Sequence, residues 1–415
     1  HDVMSEMLNK YAEIIGSAAM DSLFRVADRL KGKKIVHVNS TRSGGGVAEI
    51  LSSMIPLSKE LGLDVSWEVI EGDESFFNCT KMMHNTLQGM PGVLSDRQKE
   101  TYLDTVRRNA EKLKDILGDA DYVFIHDPQP AALIHSFPKR KGKWVWRCHI
   151  DVSAPNKSVW KFIKEQVSAY DASVFSLPDF AQKLPHPQFL ITPSIDPLSE
   201  KNIPLERDEI EKTYNDLGIP MDKPIVLQVS RFDKFKDPLG VIESYRIIKE
   251  HMDIRLVMAG GEADDDPEAL EILREVEDAA KGDPDISILM LPSDSHRTIN
   301  ALQSGADVVM QKSIREGFGL TVTEAMWKNK AVIGGNVGGI RLQVINRFNG
   351  FRVRTPEGAA IRTRYLLSHP WKRERMGKNA REYVLENFLI TGHLKRYITM
   401  LISLDLKEGP WERWF

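Results

Sequence analysis

Cysteine is nearly absent: only Cys79 and Cys148 occur in 415 residues, and they form no Cys-x-x-Cys pair. Two thiols cannot build a disulfide framework, so both are expected to be reduced and at least partly buried. No apolar run approaches the roughly 20 residues that span a bilayer, which excludes a membrane helix and a membrane partner. Charge of one sign is lacking too. The 56 Lys and Arg nearly balance the 59 Asp and Glu, for a formal net charge of -3. Nucleic acid is therefore excluded as a partner. The first residues carry Asp2, Glu6 and Glu13 in place of an apolar segment, so no signal peptide and a cytoplasmic location are expected. Finally, no Gly-x-Gly-x-x-Gly fingerprint is present, which argues against a nicotinamide-dependent oxidoreductase.

What is present is a chain longer than single cores usually grow, so two domains are expected. Short apolar runs rich in β-branched residues alternate with segments of helical periodicity, the pattern of parallel sheets wrapped by helices. In the first half the spacing predicts strands over 34–39, 64–70, 121–126, 143–148, 172–177 and 189–192. Helices are predicted over 47–61, 97–117 and 158–170. A polar, proline-spotted stretch, 193–224, separates this series from a second one. There strands are predicted over 225–229, 254–259, 286–291, 308–311, 331–333 and 350–353. Helices are predicted over 238–249, 267–280, 295–303, 321–328 and within 371–404. The fold class is thus α/β, with two Rossmann-like doubly wound domains facing across a cleft, 1–205 and 206–385, and a helical segment 386–415. In such sheets ligands bind at the carboxyl ends of the strands.

Four stretches carry chemistry. Arg315-Glu316-Gly317-Phe318-Gly319-Leu320-Thr321-Val322-Thr323-Glu324 runs from a strand end into a helix. Its glycines allow close backbone approach, and the helix mouth offers unpaired N–H groups to a phosphate. Glu316 and Glu324 suit neighbouring sugar hydroxyls, which a carboxylate can accept from. Ser230-Arg231-Phe232-Asp233-Lys234-Phe235-Lys236-Asp237 follows another strand. Arg231 and Lys236 could there neutralise a departing diphosphate. Asn39 to Gly46 ends in Gly44-Gly45-Gly46, which permits contact with a phosphate or sugar, or forms a simple tight turn. His126-Asp127-Pro128-Gln129 and His149-Ile150-Asp151 end first-domain strands and could bond sugar hydroxyls. Their spacing matches no zinc pattern, so no metal site is expected. Asp264-Asp265-Asp266 reads as a solvated loop.

The Glu-x7-Glu pattern from Glu316 to Glu324 and the Arg-x4-Lys pattern from Arg231 to Lys236 make the chain resemble the retaining nucleotide-sugar glycosyltransferases of the two-Rossmann (GT-B) type. More narrowly, it is similar to the archaeal trehalose glycosyltransferring synthases, of glycosyltransferase family 4. HVNS at 37–40, GGGVAEIL at 44–51, HDPQPAALI at 126–134, WRCHID at 146–151, PSIDPLSEKN at 193–202, QVSRFD at 228–233 and SIREGFGLTVTEAMWK at 313–328 carry the likeness. Two stretches depart from it: Asn346-Arg347-Phe348-Asn349-Gly350, with Arg352 beyond, and Gly260-Gly261-Glu262-Ala263.

The resemblance implies transfer of glucose from a nucleotide-glucose (UDP- or ADP-glucose) to glucose, giving α,α-trehalose and nucleoside diphosphate. It implies that Arg231 and Lys236 hold the diphosphate, that Glu324 takes the ribose hydroxyls, and that Glu316 with Gly317, Phe318, Gly319 and Leu320 holds the donor glucose. The 44–46 loop closes over the phosphates, His149 joins the catalytic set, and Asp127, Gln129 and Asp151 line the acceptor side. The last helix is implied to cross back onto the first domain. No tightly bound cofactor is called for; Mg2+ is compatible with the motifs without being required by them, and a homodimer is left open. No carboxylate pair announces a covalent glycosyl intermediate, so same-face substitution is expected. The competing readings are a trehalose phosphorylase using inorganic phosphate, a related transferase with another acceptor, and a non-catalytic sugar-binding module.

Overall fold

The computed structural model describes residues 4–261 and 267–406. The chain divides into two compact units, one of His1–Pro193 with Ile390–Phe415, the other of Ser194–Leu389. Among the described residues no helix is long and apolar enough to cross a membrane.

The first unit is built on six parallel strands: β1 (Lys34–Asn39), β2 (Asp64–Val69), β3 (Tyr122–His126), β4 (Lys143–Cys148), β5 (Ala172–Phe175) and β6 (Gln188–Leu190). Their order is β2-β1-β3-β4-β5-β6. The central strands are apolar without alternation, because helices cover both faces; Val123, Phe124 and Ile125 of β3 are all buried. Trp144 and Trp146 anchor this core together with Phe76 and Tyr102. Both cysteines are buried and free.

The second unit repeats the plan with β7 (Ile225–Val229), β8 (Arg255–Gly261), β9 (Ile286–Leu291), β10 (Val308–Gln311), β11 (Val332–Gly335) and β12 (Gly350–Val353). The order is β12-β11-β10-β7-β8-β9. In each sheet the strand order reverses once, between β1 and β3 in the first unit and between β7 and β10 in the second. Loops leaving the two strands at such a reversal diverge to opposite faces and leave a crevice between them.

Several segments differ from expectation. The 97–117 helix is two, Asp96–Lys112 and Lys114–Asp119, because Leu113 leaves helical geometry at φ -99°, ψ 9°. The first of them opens on a capping box, in which the Ser95 hydroxyl accepts from Gln98 N–H and the Gln98 amide oxygen accepts from Ser95 N–H. Helices Glu6–Ile15, Ser17–Asp28 and Glu74–Leu87 were not anticipated. Neither was Arg207–Asp216, which stands inside the stretch read as a linker. Only Ile210 and Tyr214 of that helix are buried, a stripe too narrow to stand out among its charges. The 371–404 stretch holds helices as expected, Pro370–Asn387 and Ile390–Asp405, parted at Phe388. The former belongs to the second unit and the latter to the first. Asp264-Asp265-Asp266, like Glu262 and Ala263, lies outside the described residues.

Candidate active site

In the second unit the loops after β7 and β10 leave neighbouring strands and are stitched to each other. Ile314 N–H donates to Phe235 C=O at 2.9 Å. Two ion pairs cross between them, Lys236 Nζ to Glu316 Oε1 and Lys312 Nζ to Asp237 Oδ2. Ser313 Oγ donates to the other Glu316 oxygen at 2.8 Å. Beneath them Gln228, buried on β7, donates to Lys236 C=O at 3.1 Å and accepts from Lys312 N–H at 3.3 Å. The expected Lys236 and Glu316 are therefore in direct contact. Arg231 is not part of this lattice: its side chain is 83% exposed, and among the described residues its ion-pair partner is Asp233, with Oδ2 3.9 Å away.

A third loop completes the crevice. After β11 the chain turns through Gly338 and Gly339, and Gly339 N–H donates to Gly317 C=O at 2.7 Å. A Cβ on Gly335 would fall 2.0 Å from Ser313 O, and one on Gly338 2.1 Å from Glu316 O. Only glycine lets the two backbones lie this close. Gly319, at φ 86°, caps the helix Leu320–Trp327 in left-handed geometry. Phe318 is buried against Phe388, Gly317 is exposed, and Leu320 is half-buried at the helix start. Glu324, one turn on, is 5% exposed. One turn later Lys328 donates to Glu324 C=O and to Gln303. Burial lowers the Lys328 pKa to about 8.

In the first unit the loops after β1, β3 and β4 hold the other expected residues. Gly44 and Gly45, at φ 81° and 85°, lead into the helix Gly46–Glu60, and 44–46 are exposed. The turn before them is set by Asn39, which donates to Thr41 C=O and accepts from Trp67 Nε1. Asp127 adopts φ 64°. Its carboxylate accepts the His149 backbone N–H at 2.7 Å while its carbonyl accepts from Trp146 Nε1. Burial raises its pKa. Asp127 thus shapes the loop that carries His149. Gln129 is half-buried, and Asp151 accepts from Ser153 N–H at 2.9 Å.

His126, read from sequence as a sugar contact, is not available for one. It is buried, with Nε2 at 2.9 Å from His37 Nδ1 and Nδ1 at 2.8 Å from His149 Nε2. The three rings are stacked in sequence. Burial pushes the His37 pKa down to about 3. It also holds His126 and His149 well below the ordinary value, with the Arg147 charge adding to the effect. The chain is therefore neutral, and each hydrogen bond needs one donor. If His149 Nε2 carries the proton, His126 must donate to His37; if it does not, His37 donates to His126. The face His149 shows to a ligand is thus coupled to His37, a residue the sequence reading passed over.

A pair of doubly wound units, each with a crevice at its strand-order reversal and one with charged, glycine-tightened loops there, defines a GT-B glycosyltransferase. The same fold is found in the α,α-trehalose-phosphate synthase (UDP-forming) of Burkholderia xenovorans, solved in complex with glucose-6-phosphate. That structure is 12% identical, with a TM-score of 0.70 over 89% of this chain and 100% of that one. Residues 37–182 match the family "Trehalose synthase, N-terminal domain", and residues 209–383 match "Glycosyl transferases group 1". The trehalose synthase of Thermococcus litoralis is 46% identical over 401 residues, 95% of this chain and 97% of that one. That of Rubrobacter xylanophilus is 42% identical over 405 residues, 96% and 97% of the respective chains. The chain belongs to the trehalose synthase family.

Proposed function

We propose that this enzyme moves glucose from a nucleotide-glucose to free glucose, giving α,α-trehalose and nucleoside diphosphate with retention of the anomeric configuration. The observation that carries the reading is the Lys236–Glu316 pair, set between adjacent loops at the strand-order reversal of the second unit. A diphosphate binding there draws Lys236 toward its oxygens and frees Glu316 to accept from sugar hydroxyls. Arg231, exposed beside the same loop, folds onto the phosphates and adds a second charge where negative charge develops. Glu324 accepts from the ribose hydroxyls, and the 317–320 backbone supports the donor glucose. In the first unit the 44–46 loop offers backbone N–H groups to the phosphates. His149, Gln129 and Asp151 serve the sugars, and Asp127 acts by holding the His149 loop.

Glu316 is already engaged by Lys236 and Ser313, which supports a binding role over a nucleophilic one. The leaving phosphate oxygen then takes the acceptor's proton as the new bond forms on the same face. Catalysis comes from positioning and charge stabilisation. The test is NMR of the products formed by purified protein with a panel of nucleotide-glucoses plus glucose. α,α-Trehalose appearing in step with nucleoside diphosphate is expected. Trehalose breakdown that requires inorganic phosphate and ignores nucleotides would instead make the protein a phosphorylase.

A further inference from the structure

The second unit carries another cavity, of about 510 Å³, that the catalytic reading does not use. Arg347 and Phe348, which line it, precede β12, and Trp371 and Arg375 stand near the start of the helix Pro370–Asn387. Because the strands are parallel, this places the cavity at the amino-terminal edge of the sheet. The Lys236–Glu316 cradle is at the carboxyl edge. The volume falls within the range that small-molecule sites occupy.

Its lining combines two features. Arg347, Arg362, Lys372 and Arg375 contribute four cations, and no lining residue is acidic. Among the described residues none of the four is in an ion pair with a carboxylate. Elsewhere on the surface a cation such as Arg297 is matched by acids, here Glu200 and Glu209. The second feature is aromatic. Trp371 is 60% and Phe348 49% exposed at the cavity. The Arg362 guanidinium lies 4.8 Å from the Phe351 ring centre, and the Lys372 ammonium 5.2 Å and 5.3 Å from those of Tyr365 and Trp371.

The cavity is also held in shape. Arg347 stands at φ 72°, a left-handed conformation that costs any residue with a Cβ. Its N–H bonds to Gly350 C=O at 2.8 Å. Asn349 accepts from Ile345 N–H and donates to Gln343 C=O, and Asn379 donates to Phe348 C=O. These bonds fix a turn whose local preference is otherwise poor, and they keep Arg347 and Phe348 directed at the cavity.

We infer that this cavity is a second binding site, for a nucleoside di- or triphosphate, independent of the catalytic crevice. A polyphosphate answers four uncompensated cations, and a flat base answers exposed rings on which it can stack. A sugar monophosphate brings at most two negative charges to four cations, and inorganic pyrophosphate leaves the aromatic platform unused.

Photolabelling of the full chain with 8-azido-ADP, followed by peptide mapping, tests this. The expected label falls on peptides within 346–379, and excess ADP suppresses it at concentrations where pyrophosphate and glucose 6-phosphate do not. Trp371→Ala should weaken that labelling about tenfold, as loss of one stacking partner does, and Arg375→Glu should abolish it. Both side chains are exposed, so both variants are expected to fold and keep their turnover. Label confined to other peptides, label that survives Arg375→Glu, or equal displacement by pyrophosphate or glucose 6-phosphate would overturn the assignment.

Discussion

Arg147 is a fully buried cation satisfied by neutral oxygens. Its guanidinium donates to Tyr397 Oη at 2.6 Å, to Ile191 C=O at 2.8 Å, to Cys148 C=O at 2.9 Å and to Ser176 Oγ at 3.2 Å. Tyr397→Phe removes one acceptor without opening space and leaves a charged donor unmade. The expected cost is about 1–3 kcal/mol, read as a lower urea midpoint; an unchanged midpoint would mean Tyr397 contributes only packing. The neighbouring histidines give a pH signature. His37 has its pKa lowered from 6.5 to about 3 by burial, so the folded chain keeps it neutral while the unfolded chain protonates it below 6.5. Its contribution is therefore complete above pH 6.5 and is lost as pH falls toward 3. The loss for one such group is about 1.4 kcal/mol per pH unit. Between pH 7.5 and 5.5 the wild type should lose about that much more stability than His37→Asn, and equal losses would contradict the burial argument. At this scale sequence was a partial guide. Lys236 and Glu316 stood out because each follows a strand in a glycine- or charge-marked loop. Lys312 did not, although a lysine directly after the apolar strand Val308–Gln311 requires a partner once buried, and its side chain is 4% exposed.

Elements explain why the catalytic loops hold their form without ligand. The β11 loop presses its backbone onto the β10 loop at Gly335 and Gly338. Gly335→Ala would push a methyl group into Ser313 O and, through Ser313, displace Glu316. We expect turnover to fall tenfold or more, with far-ultraviolet circular dichroism unchanged and a stability loss of about 1–3 kcal/mol. Wild-type turnover would show that the loop tolerates movement. The strands and most helices were legible because buried parallel strands read as short unbroken apolar runs. This glycine loop was not, since a close approach between backbones leaves no periodic trace. The helix Arg207–Asp216 was missed for a different reason, its buried stripe being two residues wide.

For the whole molecule, the chain's return matters most. The helix Ile390–Asp405 closes the first unit after the second has been built. It buries Leu394, Tyr397, Ile398 and Leu401, with the Tyr397 ring edge-on to Phe124 of β3 at 5.2 Å. A chain ending at residue 389 should therefore lose amide-exchange protection in β1 and β3, while β7 and β10 keep theirs. Equal protection in both sheets would mean the helix is dispensable to the first core. That two doubly wound series exist was readable from the alternation of strands and helices. That the final helix belongs to the first unit was implied by the family resemblance alone and has no trace in that alternation, since it depends on tertiary partners such as Arg147, 250 residues away.

The central claim is that the β7 and β10 loops stabilise charge on a departing diphosphate, and steady-state turnover of Arg231→Ala and Lys236→Ala with saturating nucleotide-glucose and glucose tests it most directly. Each substitution should cut kcat by about 10²–10³, as loss of one charge-stabilising donor does, with the fold intact. Turnover near the wild-type value in both variants would contradict it.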